Sequence, residues 1–178
     1  MVSMTTPTTP PSEHLARIKR LALCDTLDQV GPDAPTVCDP WLTRDLAAHL
    51  VVRERRPDLA AGLVIPFLAG RLERGQADLA RRTPWPELVD LVRTGPPLWS
   101  PTRVGALDDI VNTMEMVIHH EDVLRGDGAR GPRRELDPRL EKAVWASLRR
   151  LASSMFRRAG MGVVLVAPGH QPVAARPG

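Results

Sequence analysis

The stretch Asp108-Asp109-Ile110-Val111-Asn112-Thr113-Met114-Glu115-Met116-Val117-Ile118-His119-His120-Glu121-Asp122 decides how this chain is read. Wound as a helix at about 100° per residue, it gathers Asp108, Asn112, Glu115, His119 and Asp122 into a sector roughly 80° wide. Leu107, Val111, Met114 and Ile118 flank that sector on one side and Met116 and Val123 on the other. A polar stripe thus runs down a face of the kind that is normally buried. A carboxylate or imidazole taken out of water alone costs several kcal/mol, which leaves ion pairing, a hydrogen-bonded network or metal coordination as outlets. Glu115 and His119, one helical turn apart, reach a common point and make half of a metal site. The helix is expected from about Val104 to Leu124, with Gly126-Asp127-Gly128 stopping it.

The other half is sought upstream. Thr43 offers an N-cap and Asp45 a first-turn acid for a helix from Arg44 to about Arg55, which carries His49 among Leu42, Asp45, Leu46, Val52 and Arg53. A lone histidine on an inward face is more often a core residue than a ligand. Joined to Glu115 and His119, it completes two nitrogens and one oxygen, the set of catalytic zinc sites that keep a fourth position for water. Asp122 and Asn112 are placed to orient those ligands without touching the ion. His120 points about 100° away from His119, outside the ligand sphere. Arg53 and Arg56 follow the edge of His49 and are expected at the entrance, where guanidinium groups would meet a carboxylate on a thiol cofactor or an acidic substrate. The plainer readings are arginines that complement a helix dipole in water and a surface Glu–His pair, which leaves the rest of the stripe unexplained.

Around this pair of helices, residues 1–11 read as a disordered tail and 12–178 as one domain. Ser12 is a plausible N-cap for a helix to about Gln29 with Leu15, Ile18, Leu21, Ala22, Cys24 and Leu27 on its apolar side. One main helix is expected from Pro66 to Arg81 and a short one from Glu87 to Arg93, followed by a loop Leu98 to Arg103 that would lie across the mouth of a site. A last helix runs from Asp137-Pro138 to about Arg158 with Leu140, Val144, Leu148, Leu151, Ala152 and Met155 inward. Gly162 to Val166 and Pro172 to Ala175 form a weak hairpin. The fold class is mainly all-α, an antiparallel four-helix bundle with a small C-terminal β-hairpin.

Composition narrows the function classes. With 43% hydrophobic and 25% charged residues the chain builds an ordinary core without disulfide staples. Cys24 and Cys38 sit in no CxxC or CxxH spacing and no secretory leader precedes them, so cytoplasmic thiols are expected and a zinc knuckle is excluded. The longest apolar run, Gly162 to Pro168, is too short to span a bilayer. A net charge of +3 suits nucleic acid only weakly, because the arginines alternate with acids and only two Phe and no Tyr are there to stack on bases. No nucleic-acid or membrane partner is expected, and a homodimer is an open expectation.

Trp41-Leu-Thr-Arg-Asp-Leu-Ala-Ala-His49-Leu, Arg53-Glu-Arg-Arg-Pro-Asp58 and Val111-Asn-Thr-Met-Glu115-Met-Val-Ile-His119-His-Glu-Asp122 together resemble the DinB/YfiT-like superfamily. Over about residues 12 to 178 the chain is most similar to metal-binding relatives of the mycothiol-dependent maleylpyruvate isomerase N-terminal domain. The resemblance implies a four-helix bundle holding a divalent ion, usually Zn2+, on His49, Glu115 and His119. Many members use three histidines, and Glu115 is a departure from them. It further implies an enzyme that activates a low-molecular-weight thiol such as mycothiol for transfer or isomerisation. A metal-dependent hydrolase and a non-enzymatic metal-binding or structural module are the alternatives. Similar chains continue past a point like Gly178, so further strand and helix are expected after it.

Overall fold

The computed structural model describes residues 14–63, 65–100, 103, 105–128 and 135–177. The tail 1–11, the Ser12 cap, Pro101 and Val104 lie outside them, as do the side chains of Leu107 and Val111. The chain is mainly helical with one small antiparallel hairpin and divides into two compact units, 1–131 and 132–178.

The first unit holds α1 (Leu15–Val30), α2 (Thr43–Arg55), α3 (Pro57–Ala60), α4 (Ala69–Arg82), α5 (Trp85–Thr94) and α6 (Gly105–Leu124). Helix α1 packs along α6, α2 along α4, and α5 touches both α1 and α2. Each contributes buried apolar side chains to one core: Leu23 and Leu27, Leu46 and Leu50, Ala80, Leu88, Val89 and Val92, and Met116. Burying each such side chain fully is worth about 1.5–3 kcal/mol, enough to fix which faces turn inward.

The outer flanks differ from the wheel. Ile18, Leu21 and Ile118 are about two-fifths exposed. The reason is that much of the α1–α6 seam is polar. His120 meets Thr26 at 2.9 Å and Lys19 at 3.3 Å, and the Ala16 amide donates to Asp109 at 2.8 Å. Thr43 is not the expected cap either. It lies inside α2 and its hydroxyl donates to the Gly31 carbonyl at 2.6 Å, while Asp45 accepts from the Leu42 amide at 3.0 Å. The segment expected to begin one helix at Pro66 starts as a 3₁₀ turn, Pro66–Leu68, before α4.

One close approach positions the site. A Cβ on Gly126 would fall 1.9 Å from the Pro35 carbonyl oxygen, so the end of α6 and the loop before α2 meet backbone to backbone. The Val37 amide donates to the Asp122 carbonyl at 3.1 Å just beside it.

The second unit holds α7 (Pro138–Met155), β1 (Val163–Leu165) and β2 (Val173–Arg176). Asp137 caps α7 by accepting from the Arg139 amide at 2.8 Å. The helix stops at Met155, short of the expected Arg158, and it packs on β2. Leu140, Trp145, Ala152 and Ala175 are buried, and Trp145 stacks on His170 at 5.0 Å. Leu151 and Met155, expected in the core, are 44% and 54% exposed. This last helix thus belongs to the same unit as the hairpin.

Candidate metal centre

The stripe on α6 is buried or half-buried along its length and resolves into two layers. At the N-terminal end, Asp108 and Asn112 join Arg20 of α1 and Glu54 of α2. Arg20 is 3% exposed and forks onto Glu54 at 2.6 and 2.8 Å, donates to the Val92 carbonyl at 3.2 Å, and lies 3.4 Å from Asp108. Burial opposes its charge, but the Glu54 bonds outweigh that and raise the Arg20 pKa. Asn112 donates to Asp108 at 2.6 Å. Every charge in this layer faces an opposite charge or a matched dipole.

At the C-terminal end His49, Glu115 and His119 converge. Their donor atoms lie within 4.8 Å of one another. The Nε2 atoms of His49 and His119 stand 3.5 and 3.2 Å from the same Glu115 oxygen, Oε1. Two ligands about 2.0–2.1 Å from one tetrahedral ion stand roughly 3.3–3.4 Å apart, so both separations match a ligand edge.

The outer faces of both rings also have partners. His119 Nδ1 is 3.0 Å from Asp122 Oδ2, and His49 Nδ1 is 3.4 Å from Gln76 Oε1. Both neighbours can accept an Nδ1 proton, and in the neutral tautomer that carries it there the Nε2 lone pair faces inward. Two lone pairs and a carboxylate oxygen then face one point. A cation there converts three mutually repelling acceptors into ligands, so the residues present fit a divalent ion.

The cluster is also supported electrostatically. Burial pushes the Glu115 carboxyl up, yet when the rings carry a proton on Nε2 instead, bonds from His119 and His49, with the charge of Arg53, outweigh it and hold it well below the usual carboxylate range. Arg53 Nε is 3.4 Å from Glu115 Oε1, and its guanidinium donates to Asn112. Asn112, expected to orient ligands, therefore reaches Glu115 through Arg53, and Arg53, expected at the entrance, is turned inward. Arg56 is not brought to the cluster. It is exposed and forks onto Asp58 at 2.9 Å, because Asp58 follows it across the break between α2 and α3. A cavity of about 280 Å³ adjoins His49, lined also by Trp41, Leu72, Glu73 and Gln76. Of the loop expected over the site mouth, Leu98 and Trp99 are exposed, and Arg103 borders a different cavity.

Three contributors escape the spacing argument. Trp41 lies 5.1 Å from the His49 ring, and Gln76 holds the far side of that ring from α4. Cys38 donates from its thiol to Asp122 Oδ2 at 3.2 Å, the oxygen that His119 also meets. Burial, with Asp122 adding to it, pushes this thiol up to about 11, so it remains a protonated donor at neutral pH. Trp41 stood within the sequence motif; Cys38 and Gln76 arrive by tertiary contacts that no periodicity announces.

The chain matches no protein-family model, no curated protein and no solved structure.

Proposed function

We propose that this chain is a metal-binding protein of DinB-like four-helix-bundle type, holding Zn2+ on His49, Glu115 and His119, and that it activates a low-molecular-weight thiol such as mycothiol. The observation that carries the reading is the convergence of two inward imidazole lone pairs on one carboxylate oxygen, at separations that suit ligands of a single ion. A zinc ion at these ligands would supply a Lewis acid that lowers the pKa of a thiol in its remaining position. Asp122 and Gln76 hold the two rings in the tautomer that presents Nε2. Arg53, 3.4 Å from Glu115 Oε1, balances the Glu115 charge. Trp41 shields one side of His49 from water, and the adjoining cavity leaves room for a small molecule beside the ring.

Metal analysis of the protein purified without chelator tests the first half: close to one zinc per chain is expected, falling to background in Glu115→Ala. Wild-type protein that takes up no zinc on reloading would end the proposal. For the second half, the cobalt-substituted protein should gain a sulfur-to-metal charge-transfer absorption on addition of mycothiol. An unchanged spectrum, with turnover that needs only water, would assign the site to hydrolysis instead.

A further inference from the structure

A second cavity, of about 510 Å³, lies in the same unit among the start of α1, the end of α5 and the start of α6. Its walls include Arg17, Arg20, Arg93 and Arg103, with His14 and a single carboxylate, Asp108. Two of these guanidinium groups are already answered. Arg20 belongs to the closed layer with Glu54 and Asp108, and Arg93 bridges Asp25 and Asp28 at the rim. Asp25 and Asp28 are more than half exposed, so water and counterions screen their charge.

The other two are not answered. Arg17 is exposed, and neither it nor Arg103 makes an ion pair among the described residues. Arg103 uses its Nη1 to donate to the Thr94 and Pro96 carbonyls at 3.1 and 2.8 Å. Those bonds, with the one from Arg20 to Val92, occupy carbonyls at the end of α5, so the negative end of that helix is covered by cations. A third guanidinium stands close behind. The Nε of Arg55 is buried with no hydrogen-bond partner among the described residues. Burial lowers its pKa, Glu54 opposes that, and repulsion from Arg103 and Arg20 adds to the lowering. Gly95, at φ 72°, brings bare backbone against Arg20, where a Cβ would sit 3.2 Å from the guanidinium carbon.

Guanidinium groups gathered at one cavity with N–H donors left over offer an oxyanion several forked, charge-assisted bonds at once. We propose that this cavity binds a compact multivalent oxyanion, a phosphate ester or a polycarboxylate, between Arg17 and Arg103. The site is separate from the His49, Glu115 and His119 cluster and needs no metal.

Calorimetric titration of the full chain, stripped of metal by dialysis against chelator, tests this at low ionic strength with inorganic pyrophosphate and with citrate. Saturable one-to-one binding of at least one probe is expected, and the probe preferred tells phosphate from carboxylate chemistry. Arg103→Ala and, separately, Arg17→Ala should each weaken that binding tenfold or more, whereas Arg81→Ala, whose side chain pairs with Asp78 on the surface, should leave it unchanged. Because Arg17 is exposed, its variant keeps the test valid if Arg103→Ala fails to fold. Absence of saturable binding by either probe, or equal binding by wild type and the Arg17 variant, overturns the proposal. Metal-stripped protein makes this outcome independent of whether zinc binds at His49.

Discussion

The two polar layers on α6 solve the same physical problem in opposite ways. Around Asp108 the buried charges are complementary, two carboxylates against one guanidinium with an amide and a carbonyl filling the remaining valences. Around Glu115 the groups are alike, three acceptors aimed at one point with further acceptors behind the rings. The first arrangement is complete as it stands and holds three helices in register. The second offers its acceptors to a cation. Adjacent turns of one helix thus separate a closed ion-paired layer from a cluster shaped to fit a cation, and Arg53, touching Asn112 on one side and Glu115 on the other, marks the boundary.

The sharpest way to break this contrast is to remove one partner of the closed layer. Arg20→Ala leaves Glu54 and Asp108 buried without their cation and should destabilise the fold by about 3–5 kcal/mol in urea unfolding. A loss under about 1 kcal/mol, the range of an exposed pair, would place the Asp108 layer among surface contacts. Glu115→Ala should do the reverse: zinc affinity drops by more than about 100-fold, beyond the loss expected for an orienting residue, while the helical circular-dichroism signal stays. Equal damage to folding from both substitutions would erase the distinction between the layers.

Asp122→Ala sharpens the comparison within the second layer. His119 loses the acceptor that fixes its tautomer, and zinc affinity should fall about 10–100-fold, less than for a ligand. A loss as large as that of Glu115→Ala would make Asp122 a ligand. The smallest effect concerns Cys38. With its pKa pushed up to about 11, the thiolate is scarce at pH 8, and alkylation by iodoacetamide should be slow, rising about tenfold per pH unit until that pKa is reached. Cys24, raised to about 12 by burial in the core, will not compete. In Asp122→Ala the Cys38 thiol loses a carboxylate that disfavours its ionisation, so labelling should speed up; an unchanged rate would mean that Asp122 does not govern it.

The part of this legible in the sequence was the part governed by period. The stripe from Asp108 to Asp122 is a statement about one helix, and a wheel is sufficient for it. His49 was found because its own helix is also regular. What the wheel missed was set between elements. Ile18 and Leu21 were assigned inward by hydrophobicity, yet the seam they would have filled is occupied by Thr26, Lys19 and His120. Arg56 was placed beside Arg53 by angle, but α2 ends at Arg55 and Asp58 captures the guanidinium. Leu151 and Met155 satisfy the same periodicity as Leu140 and Ala152, and a pattern cannot tell which half of a wide apolar face finds a partner.

The meeting of Gly126 with Pro35 bears on the order in which the site comes together. Glu115 and His119 are four positions apart and meet as soon as their helix winds, on the sub-microsecond scale of about 0.1–1 μs. The contact between Cys38 and Asp122 closes a separation of 84 positions, and it depends on a backbone approach that only a residue without a side chain allows. Loop closure of that span must precede any reward from the contact it creates. The pair on α6 is therefore an early, local event, and the orienting shell around it is among the last things the chain acquires. Zinc added during refolding would meet half a site first, and high affinity would emerge only with the final docking of the loop.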